Sequence, residues 1–207
     1  MTSKETYTTV DKQATAEITE KKSRFICNIK HTKSEDDAAE FIKQIKKKHY
    51  DARHNVYAYI IGDGSVKKCS DDGEPSKTAG VPIMQMLESE GITDVVCVVT
   101  RYFGGTLLGT GGLIRAYTAS AKEGVKAAGI KKLKLCNEYA ITIPYAKLST
   151  VEYMITESGA VIDDKVFSSD VTLSVYIVSE DADKFVMSIN EKFGSEITIQ
   201  FCEQAYR

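Results

Sequence analysis

The chain has 207 residues, 43% of them hydrophobic, and its 27 Lys and Arg nearly cancel its 29 Asp and Glu. At this length roughly 70% of the unfolded surface can be buried, enough for one large core or two smaller ones, which excludes a disordered or fibrous protein. The apolar run Val95-Val96-Cys97-Val98-Val99 is far short of the roughly 20 residues that cross a bilayer, and Met1 to Arg24 hold no apolar stretch of the signal-peptide kind. A cytoplasmic location without membrane partners is therefore predicted. The five cysteines (Cys27, Cys69, Cys97, Cys136, Cys202) stand at least 28 residues apart. That spacing offers neither a metal clip nor a small disulfide loop, so all are read as reduced thiols, with no metal and no cofactor.

In chain order, strands are predicted over Thr15–Thr19 and Ser23–Lys30, then a helix over Ser34–Lys48. Ser34 suits its N-cap, and Ala38, Phe41, Ile42 and Ile45 follow the helical spacing of one apolar face. Lys46-Lys47-Lys48 falls in the last turn, where cations complement the helix dipole, in preference to forming a nucleic-acid patch. Strands follow near Val56–Ile61 and Val66–Ser70, then a helix holding Pro82 in its first turn, a buried strand over Asp94–Thr100 and a long helix ending near Gly129. Beyond it the pattern is strand (Lys134–Ile143), helix (Ala146–Ser158), paired strands (Ala160–Phe167, Asp170–Val178), helix (Glu180–Phe193) and strand (Glu196–Phe201). This β-α-β-β-α-β order is the split βαβ, ferredoxin-like plan, with an open sheet face. Charge and glycine usage shift at the same place: residues 1–132 carry a net +4 and twelve of the fourteen glycines, and 133–207 carry −6. Two domains, 1–132 and 133–207, are predicted within an α+β class.

Ser70–Pro82 and Thr100–Tyr117 hold most of the functional information. The second is a strand, a glycine loop and a helix start, an order that exposes amides to which a phosphate can bind. Gly104, Gly105, Gly109, Gly111 and Gly112 are candidate anion-binding positions; the alternative is that they serve only a tight turn and close helix-to-sheet packing. The spacing is not that of a Walker A loop, because Thr110 stands where Lys is required, and Ile114 spoils a dinucleotide fingerprint. On the helix, Arg115, Lys122 and Lys126 share one stripe apart from the apolar arc. With Arg101 and Tyr102-Phe103, this stripe predicts a surface that takes phosphates on cations and bases on rings, set against an ordinary wet helix face with an aromatic in the core. His54, Asp71, Asp72 and Glu74 have the residue types of a hydrolase; the alternative is acidic side chains accepting backbone hydrogen bonds in a turn.

Glu17 with Lys22-Ser23-Arg24-Phe25, Ala52-Arg53-His54-Asn55 with Tyr57-Ala58-Tyr59, Ser70–Pro82 and Arg101-Tyr102-Phe103-Gly104-Gly105 through Arg115-Ala116-Tyr117 occur together in this order. In this the chain resembles the IMPACT/YigZ family, as a bacterial YigZ-type member of two domains. The resemblance implies an N-terminal domain similar to domain 2 of ribosomal protein S5 and a ferredoxin-like C-terminal domain resembling those of elongation factor G. Both likenesses point to the ribosome. Eukaryotic members inhibit an amino-acid-starvation kinase pathway but carry an additional RWD domain, so that partner is not carried over. Two positions depart from the family pattern: Lys77 where a glycine is expected, and Val56 where a cysteine is common. The resulting expectation is a noncatalytic protein that binds RNA, the ribosome or a translation-associated protein and modulates translation. Its alternatives are a peptidase- or phosphoesterase-like hydrolase and a protein-interaction module.

Overall fold

The central strand of the larger sheet explains its layering. In the computed structural model, which describes residues 5–62 and 64–207, Val95–Tyr102 (β6) is buried over almost its whole length. Val95, Cys97 and Val99 project into one core, and Val96 and Val98 into another. A strand covered on both faces has to be apolar at every position, which is why the run from Val95 to Val99 does not alternate.

Around it lie β2 (Ala14–Glu20), β3 (Ser23–His31), β4 (His54–Ile61) and β5 (Val66–Ser70), in the order β2-β3-β6-β4-β5 with every pair antiparallel. Helix α1 (Glu35–Lys48) covers one face through Ala38, Phe41, Ile42 and Ile45. Its start is secured by Ser34, whose hydroxyl accepts the Asp37 N–H at 3.1 Å. Helices α2 (Gly80–Ser89) and α3 (Gly109–Ala128) cover the opposite face, closing the larger core around Phe25, Ile83, Leu87 and Tyr117. The close approach of α3 to β3 requires Gly124: a Cβ there would stand 2.2 Å from the Cys27 Sγ.

The chain divides into two compact units, Tyr7–Lys132 and Leu133–Arg207, the second joined by Glu5 and Thr6. Strand β1 (Thr6–Val10), which the sequence pattern does not reveal, follows Glu5, whose carbonyl accepts the Leu135 N–H at 2.8 Å. Met1 to Lys4, at the head of the stretch read as lacking a leader, lie outside the described residues.

The second unit is built from β7 (Ile130–Ile143), α4 (Leu148–Glu157), β8 (Val161–Phe167), β9 (Val171–Val178), α5 (Ala182–Phe193) and β10 (Thr198–Tyr206). The β-α-β-β-α-β order read from the sequence is the observed one. Its strands lie in the order β10-β7-β9-β8, all antiparallel. β9 alternates strictly: Val171, Leu173, Val175 and Ile177 join the core under α4 and α5, while its other face carries polar pairs such as Thr142–Thr172 and Ser174–Glu138. The fold class is thus α+β, with two antiparallel sheets and five α-helices among the described residues. None of these helices is long and apolar enough to cross a membrane.

Candidate functional site

The end of β6 places the chemistry. Arg101 follows Val95, Cys97 and Val99 at a spacing of two, so it turns toward the α2 and α3 side and is buried. Its Nη1 donates to Glu74 Oε1 at 2.7 Å, with the side chains 7% and 3% exposed. The Tyr117 hydroxyl donates to the same oxygen at 2.8 Å, and His54 Nε2 lies 4.0 Å from it. Burial, and then the Glu74 charge, push the Tyr117 phenol far above its ordinary range, so it serves as a hydrogen-bond donor. His54 Nδ1 donates to the Asp72 carbonyl at 2.8 Å, because a carbonyl can only accept. The other ring nitrogen, Nε2, lies on the side of Glu74.

His54, Glu74 and Arg101 of this cluster line a cleft of about 440 Å³. Arg53, Phe103 and Leu107 stand on its rim, and Gly109 and Thr110, the start of α3, open into it. No side chain caps α3, so its first N–H groups carry the positive end of the helix dipole to the cleft.

The remaining predicted residues separate into three groups. Tyr102 belongs to the other face of β6: its hydroxyl donates to Asp51 at 2.9 Å and accepts from His49 Nδ1 at 3.1 Å, beneath the Arg24 guanidinium 5.6 Å from its ring. The aromatic side chain that reaches the cleft is Phe103, 46% exposed. Arg115, Lys122 and Lys126 are exposed along α3 outside the cleft; Arg115 lines a groove with Ile18 and Glu20, and the two lysines line another with Glu90. Arg101 was expected beside these exposed cations, and its burial against Glu74 removes it from them.

The glycines also divide. Gly104 permits backbone contact, since a Cβ there would lie 2.0 Å from the Lys22 carbonyl carbon, and its N–H donates to Ser23 Oγ at 3.1 Å. Gly105 and Gly109 adopt left-handed φ of 83° and 71° with open space around them. Gly111 lies near the Arg115 guanidinium, and Gly112 packs on Leu108.

Of the four groups proposed for hydrolysis, two are committed elsewhere. Asp71 accepts the N–H groups of Lys77, Ala79 and Gly80 at 2.8, 3.1 and 2.8 Å, capping α2 from across the loop. Asp72 accepts the Asn55 N–H at 2.7 Å and pairs with Lys46 at 2.7 Å. Only His54 and Glu74 face the cleft. Among the described residues, no group of three or more His, Cys, Asp or Glu side chains is placed to hold a metal ion. Arg53 and Thr110 are cleft residues that the sequence pattern does not single out, whereas Phe103 is one of the two aromatics it places on the binding surface; the period-two continuation of β6 is the signal that would have turned Arg101 inward.

Residues 21–125 match the Impact N-terminal domain, and residues 141–196 match a domain of unknown function, DUF1949. The chain is 38% identical over 201 residues to the IMPACT family member YvyE of Bacillus subtilis, covering 97% of this chain and 93% of that one. It is 35% identical over 153 residues to the IMPACT family member YigZ of Escherichia coli, covering 72% and 73%. A solved structure described as a hypothetical protein superposes with a TM-score of 0.64 at 28% identity, covering 97% of this chain and 98% of that one.

Proposed function

Because the chain belongs to the IMPACT family, we propose that it is a noncatalytic, cytoplasmic protein that binds RNA or the ribosome and modulates translation. The observation that carries this reading is the exposed stripe of Arg115, Lys122 and Lys126, on the helix whose N-terminus opens into the cleft beside Phe103. Spaced along α3 at about 1.5 Å per residue, Arg115 and Lys126 stand roughly 16 Å apart, a span that several successive phosphates can follow. The proposed domains are 1–132, similar to domain 2 of ribosomal protein S5, and 133–207, ferredoxin-like as in elongation factor G. The strand order β10-β7-β9-β8 with both helices on one face supports the second likeness.

The hydrolase alternative has less support, since Asp71 and Asp72 are engaged by backbone N–H groups. The interaction-module alternative places the partner on the open face of the second sheet, where polar side chains pair with one another.

The test is cosedimentation with ribosomes and separated subunits at low and moderate salt. The variant Arg115→Ala/Lys122→Ala/Lys126→Ala is expected to lose association and to flatten its log–log salt dependence by about 2, three contacts at roughly 0.7 each. Unchanged affinity and slope refute the reading.

A further inference from the structure

The hydrogen bonding of the cleft leaves one edge of Arg101 unused. Nη1 is engaged by Glu74, whereas Nε is buried and has no hydrogen-bond partner among the described residues. Arg24, in the same unit, shows what that edge does when an acceptor is present: Nε and Nη2 hold the two oxygens of Glu17 at 2.7 and 2.9 Å. A planar guanidinium fork of this kind fits an oxyanion bidentately. A buried donor without an acceptor is costly to a fold, and an acceptor delivered by a ligand accounts for its retention.

Two further features converge on the same place. The 20-residue helix α3 presents its uncapped N-terminus to this cleft through Gly109 and Thr110, where free amides and dipole both favour an anion. Arg53 adds a cation at the rim. The other half of the cleft is apolar: Phe103 and Leu107 are 46% and 83% exposed, and the Phe103 ring lies 5.6 Å from the Arg101 guanidinium carbon. A charged oxyanion and a flat apolar body are therefore wanted together, and the volume of about 440 Å³ lies in the range of small-ligand sites, roughly 300–1,000 Å³.

We propose that this cleft binds one nucleoside phosphate, its phosphate at the start of α3 between Arg53 and the free edge of Arg101, its base on Phe103 and Leu107. The inference deepens the RNA reading above, and rests on it for choosing a nucleotide over other oxyanions. A free nucleoside monophosphate and the 5′-phosphorylated end of an RNA present the same chemistry.

The experiment is calorimetric titration of the full chain with AMP, adenosine, inorganic phosphate, and tetra-adenylate with and without a 5′ phosphate. Thr110→Asp is the main variant, because an acidic side chain in the first turn suits the helix dipole and preserves folding while repelling a bound phosphate. AMP is expected to bind at least tenfold more tightly than adenosine. Thr110→Asp should weaken AMP at least tenfold with an unchanged melting curve, and Phe103→Ala should weaken AMP more than inorganic phosphate. Tighter binding of 5′-phosphorylated tetra-adenylate than of AMP assigns the cleft to RNA ends; the reverse assigns it to a free nucleotide. Equal binding of AMP and adenosine, or AMP binding untouched by Thr110→Asp, overturns the proposal. Ribosome association without AMP binding overturns it too and leaves the RNA reading intact, whereas AMP binding without ribosome association sinks that reading alone.

Discussion

Removing the Glu74 carboxylate by Glu74→Ala strands the Arg101 guanidinium, 7% exposed and flanked by the Phe25 and Phe103 rings at 5.5 and 5.6 Å, with no counter-charge. Breaking a buried pair by deleting one partner costs about 3–5 kcal/mol. The Tyr117 hydroxyl loses the same acceptor, which adds about 1 kcal/mol. Against a typical stability of about 5–15 kcal/mol, this is a large fraction. Arg101→Met, the converse deletion, strands the carboxylate and is expected to cost about as much. Combining Glu74→Ala with Arg101→Met removes both charges from the low-dielectric floor, so the double variant should be more stable than the sum of the singles implies by at least about 2 kcal/mol. The assay is urea unfolding of the full chain, followed by far-ultraviolet circular dichroism and by tyrosine fluorescence, which is usable because the chain has 11 Tyr and no Trp. Single variants that each cost under about 1 kcal/mol, or costs that simply add in the double, refute the argument that this pair is buried and coupled.

Two further outcomes follow from the same unit. Lys77, where the family pattern leads one to expect glycine, is exposed and held at φ 62°, a left-handed conformation that costs a residue with a Cβ about 1–2 kcal/mol. Lys77→Gly should leave the fold intact and raise the unfolding midpoint, the relief being partly offset by the greater freedom of glycine in the unfolded chain; a lowered midpoint contradicts this account. Burial, and then neighbouring Lys48, hold the His49 pKa below its ordinary value of 6.5, and its Nε2 is buried without a partner. A lowered folded pKa gives stability that is present above the unfolded value and lost as pH falls through the folded one. Urea midpoints measured from pH 7.5 to 5 should therefore fall on the acid side of 6.5 in the wild type and fall less in His49→Gln. Parallel profiles would show that His49 contributes nothing to the acid limb.

Much of the architecture was legible in the residues because it follows from local periodicity. The face of α1 made by Ala38, Phe41, Ile42 and Ile45, the doubly buried β6 and the β-α-β-β-α-β order of the second unit all rest on repeats of 3.6 or 2 within one segment. Strand β1 escaped, since Thr6–Val10 is short, carries three threonines and is joined to the fold by distant partners such as Asp94, whose carbonyl accepts the Thr9 hydroxyl at 3.0 Å. The family motifs drew attention to Ala52–Asn55, Ser70–Pro82 and the segment from Arg101 to Tyr117 without saying how they meet. By residue type alone, a cation and an aromatic after a buried strand, Arg101 and Tyr102, are expected at the surface, which is the usual fate of charge. Two more residues of strand reverse that: alternation sends Arg101 into the core with Glu74 and Tyr102 to the opposite face with His49.

By itself the sequence determined the elements other than β1, the α+β class and the family, because propensity, periodicity and motif spacing are properties of short stretches of chain. Only the tertiary structure decided that His54, Glu74, Arg101 and Tyr117 share one buried cluster while Asp71 and Asp72 are taken up by backbone N–H groups. The physical reason is that a hydrogen bond between groups 27 or 43 residues apart depends on how strands and helices stack in space. Burying a polar group costs free energy unless that stacking supplies a partner.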